Sequence, residues 1–285
     1  MIGIILVNKP IGITSSNVVV KLRHMSKTKR VGHLGTLDPL ASGVLPVCIG
    51  KATRLFDLFL KKNKTYVAHF EFGKLTDTLD NEGVILKTDG RIPTIKEIEE
   101  VLPKFLGEQE QVPPIYSSKV VSGVRAYKLA REGKDVELKP SLVTIFDIKL
   151  LEKVNNNTFS FEISCSSGTY IRSIARDLGE SLGTCATMTK LTRTRTGTFY
   201  LNDCGDLDKL NEDNIKEHLV SLQNVLKDYE KIDLTLKQAN DLFCGKTINQ
   251  DMQDGTYILY ENNQVIGIGK IADKNLKLST SLKEE

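Results

Sequence analysis

Hydrophobic positions recur along the chain with two different periods, and each period predicts one kind of element. Short stretches that alternate apolar and polar residues, or that are rich in β-branched residues, predict strands. Turn-forming residues bound several of them, such as Lys9-Pro10-Ile11-Gly12 after the first and Asn155-Asn156-Asn157 between the last two. The predicted strands of the first 165 residues are Ile2–Val7, Thr65–Gly73, Val84–Lys87, Val143–Leu151 and Thr158–Cys165.

Apolar residues at helical spacing predict the helices. Ser15 or Ser16 is expected to cap the first helix, and Thr94 with Glu97 has the spacing of a capping box for the second. The acid-rich segment 203–231 also carries apolar residues at helical spacing, so we expect it to be helical. The two other predicted helices each end before a glycine: Ile171–Leu182 and Leu236–Phe243.

The order of these elements indicates the fold class. Strands and helices do not alternate regularly, which favours a mixed α+β fold with a largely antiparallel sheet over a doubly wound one. Beyond the acid-rich segment, short strands at Tyr257–Tyr260 and Val265–Ile271 indicate a small β-rich unit. We therefore expect a main domain over residues 1–230 and a separate module over residues 231–285.

The composition is that of a folded protein in a reducing compartment. The chain has 285 residues, of which 40% are hydrophobic and 26% charged, enough to bury a sizeable core. No stretch approaches the roughly 20 consecutive apolar residues of a membrane helix, so we expect no membrane partner and a cytoplasmic location. Five cysteines without a C-x-x-C pair favour neither a disulfide framework nor a zinc site.

Positive charge is concentrated at the amino-terminal end. The net charge is +3, but residues 1–70 carry eleven Lys and Arg against two acids, and the remaining residues are net negative. Such a field suits a polyanionic partner, because each cation that neutralises a phosphate releases a counterion. A solvated surface helix is the alternative. The cations expected to contact phosphate are Lys21, Arg23, Lys27, Lys29, Arg30, Lys61, Lys62 and Lys64.

The segment 32–47 is the most unusual, because three glycines and two prolines surround the single carboxylate of Asp38. An Asp before proline is pushed out of helical backbone angles, and glycine permits close approach of a ligand. Asp38 is therefore a candidate for chemistry, with an Asx-type turn as the alternative. The stretch 43–51 lacks P-loop spacing, and the four histidines lack ligand spacing, so we expect no metal.

Six segments, including this loop, resemble the motifs of the TruB family of tRNA pseudouridine synthases. The resemblance covers about residues 2–230 and implies a pseudouridine synthase fold, with a mixed central sheet flanked by helices. The tail 234–282 is similar to a divergent PUA module, a small RNA-binding β-barrel. The six segments are Lys9–Ser15, Gly32–Pro46, Lys64–Asp80, Gln111–Ser117, Gly168–Gly179 and Leu191–Phe199.

The resemblance implies an isomerase that converts uridine to pseudouridine at position 55, in the T-loop of tRNA, without a cofactor. Asp38 matches the family nucleophile, which attacks either ribose C1′ or uracil C6; the residues leave both open. Arg172 matches the arginine that pairs with this nucleophile and favours its charged form. Phosphate binding is the alternative role for Arg172.

Four further residues match family positions around the flipped uridine. Tyr66 matches the aromatic platform, and is a candidate acceptor of the C5 proton. His33 matches a histidine that fills the space vacated in the RNA loop, while Tyr170 and Leu191 match residues that line the pocket. Taken alone, each is also typical of ordinary packing or, for His33, of a loop.

Three departures from the family pattern concern positions that face RNA in the family. Ser167 and Thr187 replace a usual Lys and a common His, and Lys119 comes one position early. We expect these departures to affect tRNA affinity more than chemistry.

The expected partner is the T-stem-loop of tRNA, read mainly by shape and bound by a monomer without guide RNA. Three alternatives remain open from the sequence: a tRNA-binding or folding protein with little or no catalysis, a guide-RNA-dependent synthase, and a phosphate-binding enzyme. The intact Asp38, Tyr66 and Arg172 argue against the first. The modest C-terminal module argues against the second, and the failed P-loop spacing against the third.

Overall fold

A computed structural model describes residues 1–60, 62–121, 123–134 and 136–283. The α-helices of this part are α1 (Ser15–Ser26), α2 (Phe56–Leu60), α3 (Ile95–Val101), α4 (Ala126–Arg131), α5 (Ile171–Ser181), α6 (Leu222–Val225) and α7 (Leu236–Phe243). The strands are β1 (Gly3–Lys9), β2 (Val31–His33), β3 (Ala41–Ile49), β4 (Lys64–Phe72), β5 (Lys74–Thr76), β6 (Ile85–Thr88), β7 (Gly107–Gln111), β8 (Val120–Val121), β9 (Val124–Arg125), β10 (Ser141–Lys153), β11 (Thr158–Cys165), β12 (Ala186–Thr196), β13 (Phe199–Tyr200), β14 (Gly205–Asp206), β15 (Leu219–Val220), β16 (Lys231–Asp233), β17 (Ile248–Asn249), β18 (Gly255–Glu261), β19 (Gln264–Ala272) and β20 (Asn275–Ser281).

The described residues form one large sheet of 11 strands. Its main path runs β14-β1-β3-β12-β4-β11-β10-β7, while β13, β15 and β2 pair with β12, β1 and β3. Within this sheet, the pairings of β1 with β14 and of β3 with β12 are parallel, and the other described pairings are antiparallel. The predicted α+β fold with a mixed, largely antiparallel sheet is therefore confirmed.

Helices α1, α3 and α5 pack on one face of this sheet. The strand β4 alternates strictly, so that its even-numbered residues point into the core. Phe70 of β4 stacks on Phe161 of β11 with ring centroids 4.8 Å apart. The helices contribute apolar residues to the same cluster, such as Leu22 from α1 and Leu178 from α5. This packing fixes α1 and α5 against the strands that carry the candidate site.

The C-terminal residues form a second sheet with the order β16-β18-β19-β20-β17. It has an apolar cluster of its own, which includes Leu259 and Leu276. A further cluster joins Ile258 and Leu282 to Ile4 of β1 on the far face of the large sheet. Polar contacts to the end of the last strand and the residues after it reinforce this junction. Arg54 Nη1 donates to the Ser281 carbonyl at 2.8 Å, and Lys51 Nζ donates to the Lys283 carbonyl.

The structure corrects two predictions about local structure. Thr14, rather than Ser15 or Ser16, caps α1, because its hydroxyl accepts the backbone N–H of Asn17 in a capping box. The segment 32–47 is a loop only in its middle, since β2 ends at His33 and β3 begins at Ala41.

The predicted helix over residues 203–231 is also wrong. This segment contains the short strands β14 and β15, the four-residue helix α6 and one short 3₁₀ helix, Leu207–Lys209. The side chain of Asn211 accepts the backbone N–H groups of Asp213 and Asn214, so local side-chain bonds compete with helical ones. Its apolar residues are buried by tertiary packing instead of along one helical face.

No helix in the described ranges is long and apolar enough to cross a membrane.

Candidate active site

Asp38 lies on the turn between β2 and β3, just before β3 begins in the large sheet. Its side chain is 38% exposed, which leaves the carboxylate open to a ligand. The segment after β1 holds Pro39, the residue after Asp38, because Gly12 donates its N–H to the Pro39 carbonyl at 2.8 Å. Lys9 Nζ donates to three backbone carbonyls, including that of Pro39 at 3.4 Å. Burial lowers the pKa of Lys9 to about 8.

Arg172, in the first turn of α5, faces this carboxylate. Its side chain is only 7% exposed, and its Nη2 lies 2.9 Å from Asp38 Oδ2. Nη1 lies 3.3 Å from Asp80 Oδ2. The guanidinium also donates to the carbonyls of Thr78 at 2.9 Å and Tyr116 at 3.0 Å. Two carboxylates and two carbonyls thus fix one planar group in place.

Asp38, Arg172 and Asp80 form one ion cluster, and Asp80 is the member to which the sequence assigned no role. It is buried, and its Oδ1 accepts the Thr78 hydroxyl at 2.6 Å and the Glu82 N–H at 3.1 Å. Leu79 just before it has φ of +61°, so a left-handed turn aims the carboxylate inward. The only sequence signal was its place at the end of the segment 64–80, since nothing local marks a charge partner about 90 residues away.

Tyr66 lies on β4, directly opposite Arg193 of β12 in the antiparallel register. Burial raises the pKa of Tyr66 to about 12, although the positive charge of Arg193 acts to lower it. Arg193 is 1% exposed and donates to the carbonyls of Val44 at 2.8 Å and Gly35 at 3.2 Å. A buried cation opposite Tyr66 thus contacts the turn that carries Asp38. Sequence reasoning cited Arg193 within a motif without recognising this role.

Tyr170 and Leu191 occupy different environments. Tyr170 is half-buried at the start of α5, where its backbone exchanges hydrogen bonds of 2.8 and 3.1 Å with the Gln111 side chain. Leu191 is buried between Ala41 of β3 and Ala68 of β4 and belongs to the main apolar cluster. Its surroundings are those of a core residue next to the site.

His33 ends β2 and is half-buried. Its Nδ1 is buried without a hydrogen-bond partner among the described residues, and burial with the nearby Arg193 lowers its pKa. No described hydrogen bond or ion pair joins it to Asp38 or Arg172. The structure thus places His33 on the turn but outside the ion cluster.

Part of the basic amino-terminal region is neutralised within the chain. Lys21 Nζ lies 3.2 Å from Asp208, and Lys27 Nζ lies 2.6 Å from Glu212. Both carboxylates come from the acid-rich segment, which therefore lies against α1. These pairs are exposed, and exposed ion pairs contribute little to stability because water and salt screen them.

The remaining predicted phosphate contacts differ in exposure. Lys64 is buried, so its assignment to the phosphate-contacting surface is wrong. Lys62 Nζ lies 4.7 Å from the ring centre of Tyr229, and Lys61 falls outside the described residues. The exposed cations of the basic stretch besides Lys21 and Lys27 are Arg23, Lys29 and Arg30.

The departures from the family pattern are not all on the surface. Thr187 is fully buried and its hydroxyl donates to the Lys74 carbonyl at 2.8 Å, so its expected placement toward RNA is wrong. Ser167 and Lys119 are half-buried. Within the described ranges, no group of three or more His, Cys, Asp or Glu could hold a metal ion.

Comparisons with known proteins bear on the same residues. The family described as "TruB family pseudouridylate synthase (N terminal domain)" matches residues 23–171, and the "tRNA pseudouridylate synthase B C-terminal domain" matches residues 172–232. Three proteins named tRNA pseudouridine synthase B are similar over nearly the whole chain. That of Clostridium novyi is 41% identical, with 99% of this chain and all of the relative covered. That of Clostridium perfringens is 39% identical with full coverage of both, and that of Francisella philomiragia 37%, covering 97% and 93%.

Solved structures share the fold at lower identity. A chain of an H/ACA RNP bound to a substrate RNA containing 2'-deoxyuridine has a TM-score of 0.72 and 22% identity, covering 99% of this chain and 85% of that one. A chain of a Cbf5-Nop10-Gar1 complex also has a TM-score of 0.72, with 23% identity and coverage of 99% and 84%. These likenesses agree with the family matches, which together span residues 23–232. The chain therefore belongs to the TruB family of pseudouridylate synthases.

Proposed function

We propose that this protein converts uridine to pseudouridine at position 55 in the T-loop of tRNA, with Asp38 as the nucleophile. The observation that carries the proposal is the ion pair of 2.9 Å between the partly open Asp38 carboxylate and the buried Arg172. The relatives named tRNA pseudouridine synthase B, which align over the whole chain, support tRNA as the substrate.

The reaction exchanges one bond to the ribose for another. The bond between C1′ and N1 breaks, a bond between C1′ and C5 forms, and the C5 proton is replaced by one on N1. Arg172 engages Oδ2 of Asp38, which leaves Oδ1 as the attacking atom toward ribose C1′ or uracil C6. Either route needs a carboxylate held in one orientation, and the four contacts of Arg172 supply that orientation.

Tyr66 supplies an aromatic face at the base of the site. A base that has left its stack is stabilised by such a face, and stacking contributes about 1–3 kcal/mol per base. Because the pKa of Tyr66 is about 12, the phenol is protonated at neutral pH. This protonation state supports stacking as the first role of Tyr66. Tyr66 could accept the C5 proton only after losing its own phenolic proton. Tyr170 and His33 would line the entrance, and Leu191 would back the pocket from the core.

Exposed cations would hold the tRNA backbone through sequence-independent phosphate contacts. We propose that the T-stem-loop is bound by a monomer that needs no guide RNA, metal or cofactor. We also propose the division into a catalytic domain over 1–230 and an RNA-binding module over 231–285, which the separate sheet beginning at Lys231 supports. A cytoplasmic location suits a tRNA substrate.

The test is tritium release from C5-labelled uridine in an unmodified tRNA transcript, without added metal or guide RNA. Wild type is compared with Asp38→Asn and with Asp57→Asn, which alters an exposed acid of the same amino-terminal region. We expect release by wild type and Asp57→Asn, none by Asp38→Asn, and tRNA binding by all three. A transcript with cytidine in place of uridine 55 should release nothing from wild type.

Two results would refute the proposal. Release by Asp38→Asn near the wild-type rate would exclude Asp38 as the nucleophile. Retained tRNA binding without release by any variant would favour the second candidate function, a tRNA-binding or folding protein on the same scaffold.

A further inference from the structure

Ser15 begins α1 and carries a buried hydroxyl that does not cap the helix. The capping role belongs to Thr14, whose Oγ1 accepts the Asn17 N–H at 3.0 Å. Ser15 follows as the first helical residue, is only 2% exposed, and makes its side-chain bonds outside the helix. A serine in the first turn that does not cap is free to bind another segment.

That segment is the turn that carries Asp38. The Leu37 N–H donates to Ser15 Oγ at 2.9 Å, and the Ser15 hydroxyl donates to the Leu37 carbonyl at 3.0 Å. A hydroxyl has one proton and two acceptor sites, so both bonds exist at once. Leu37 is itself buried, so its two backbone groups depend on Ser15 rather than on bulk water.

The two neighbours of Asp38 are therefore held from the same connection between β1 and α1. Ser15 holds Leu37 on one side, while Gly12 and Lys9 hold the Pro39 carbonyl on the other. A shift of Leu37 would be passed directly to the Asp38 carboxylate. That carboxylate has to remain within hydrogen-bond reach of an Arg172 side chain that three other contacts keep in place.

We propose that Ser15 is a positioning residue, which sets the backbone before Asp38 and thereby aligns its carboxylate with Arg172. This inference rests on the proposed function. Removal of the hydroxyl leaves a buried N–H and a buried C=O unpaired, and the turn must move to satisfy them. A misplacement of about 1 Å in reacting groups lowers rates by about 100-fold, so Ser15→Ala is expected to lose about 10- to 100-fold in the chemical step.

The experiment compares Ser15→Ala, Ser15→Thr and Ser26→Ala with wild type. Ser26 is a matched control, because it ends the same helix, is 8% exposed, and its Oγ has no hydrogen-bond partner among the described residues. Single-turnover tritium release at saturating enzyme gives the chemical rate, filter binding gives the tRNA Kd, and a thermal melt shows that each variant is folded at the assay temperature.

We expect Ser15→Ala to lose rate with an unchanged Kd, Ser26→Ala to match wild type, and Ser15→Thr, which keeps the hydroxyl, to recover most of the lost rate. Equal rates for folded Ser15→Ala and Ser26→Ala would overturn the positioning role. So would parallel losses in rate and Kd, which indicate a general structural role. An inactive wild type would instead refute the proposed function and the inference with it, so the two failures are distinguishable.

Discussion

Replacement of Arg172 by lysine tests the geometry of the ion cluster without removing its charge. The guanidinium of Arg172 reaches Asp38 and Asp80 and the carbonyls of Thr78 and Tyr116 from two different nitrogens. A lysine ammonium presents all its protons from one atom and cannot reproduce this fork. At least one buried acceptor therefore loses its donor in Arg172→Lys.

The expected size follows from these contacts. The charge attraction itself, about 6 kcal/mol gross at 2.9 Å and an effective dielectric constant of 20, is largely retained, and solvent at the 38%-exposed Asp38 screens it further. The loss comes from unpaired buried acceptors at about 1–3 kcal/mol each. A loss of about 3 kcal/mol of alignment in the transition state corresponds to about 100-fold in rate.

The assay is single-turnover tritium release together with tRNA Kd for wild type, Arg172→Lys and Arg176→Lys. Arg176 is the matched control, one turn later on the same helix, where it donates to Asp177 and the Val112 carbonyl and is more exposed. We expect only Arg172→Lys to lose rate, with Kd retained. Equal losses in rate and Kd would indicate phosphate binding, and an unchanged rate would refute the reasoning from geometry.

Two further predictions concern stability. Asp80→Asn removes the charge of a buried partner of Arg172 and should lower the free energy of unfolding by about 2–4 kcal/mol. This loss is smaller than usual for a broken buried ion pair because Asp38 still pairs with Arg172. A urea denaturation curve that matches wild type would contradict this prediction. The pKa of Lys9 is about 8 in the folded state against 10.5 for the free side chain, so between these pH values the unfolded chain binds more protons. Urea denaturation from pH 7 to pH 10.5 should therefore show the stability of wild type rising relative to Lys9→Met above pH 8, and a constant difference would count against a buried, charged Lys9.

Strands such as β4 were predictable because alternation depends only on which face is buried, whereas β3 and β12 inside the large sheet were not predicted. β3 is buried at almost every position, so it shows no alternation. The even-numbered residues of β4 and the capping box at Thr94 follow from local sequence and appear as expected. The segment 203–231 misled because helical spacing of apolar residues does not exclude burial by several separate elements. In this segment the Asn211 side chain also accepts backbone N–H groups, which competes with helical hydrogen bonds.

The site was predictable through its motifs but not through its contacts. The pair of Asp38 with Arg172 was expected from the resemblance, and the structure brings the two together. Asp80, Arg193 and the bonds of Ser15 to the turn were missed, because each acts on a partner far away in the chain. Periodicity identifies a buried position but not the group that it meets there.

The contact of the acid-rich segment with α1 affects the salt dependence of RNA affinity. The affinity of a protein for nucleic acid falls with salt in proportion to the number of phosphates its cations neutralise. Lys21 and Lys27 already have carboxylate partners in Asp208 and Glu212. Contacts made by these two lysines would first break an internal pair and add little to counterion release. The logarithmic salt slope of tRNA binding should therefore be shallower than the number of basic residues in the amino-terminal region implies.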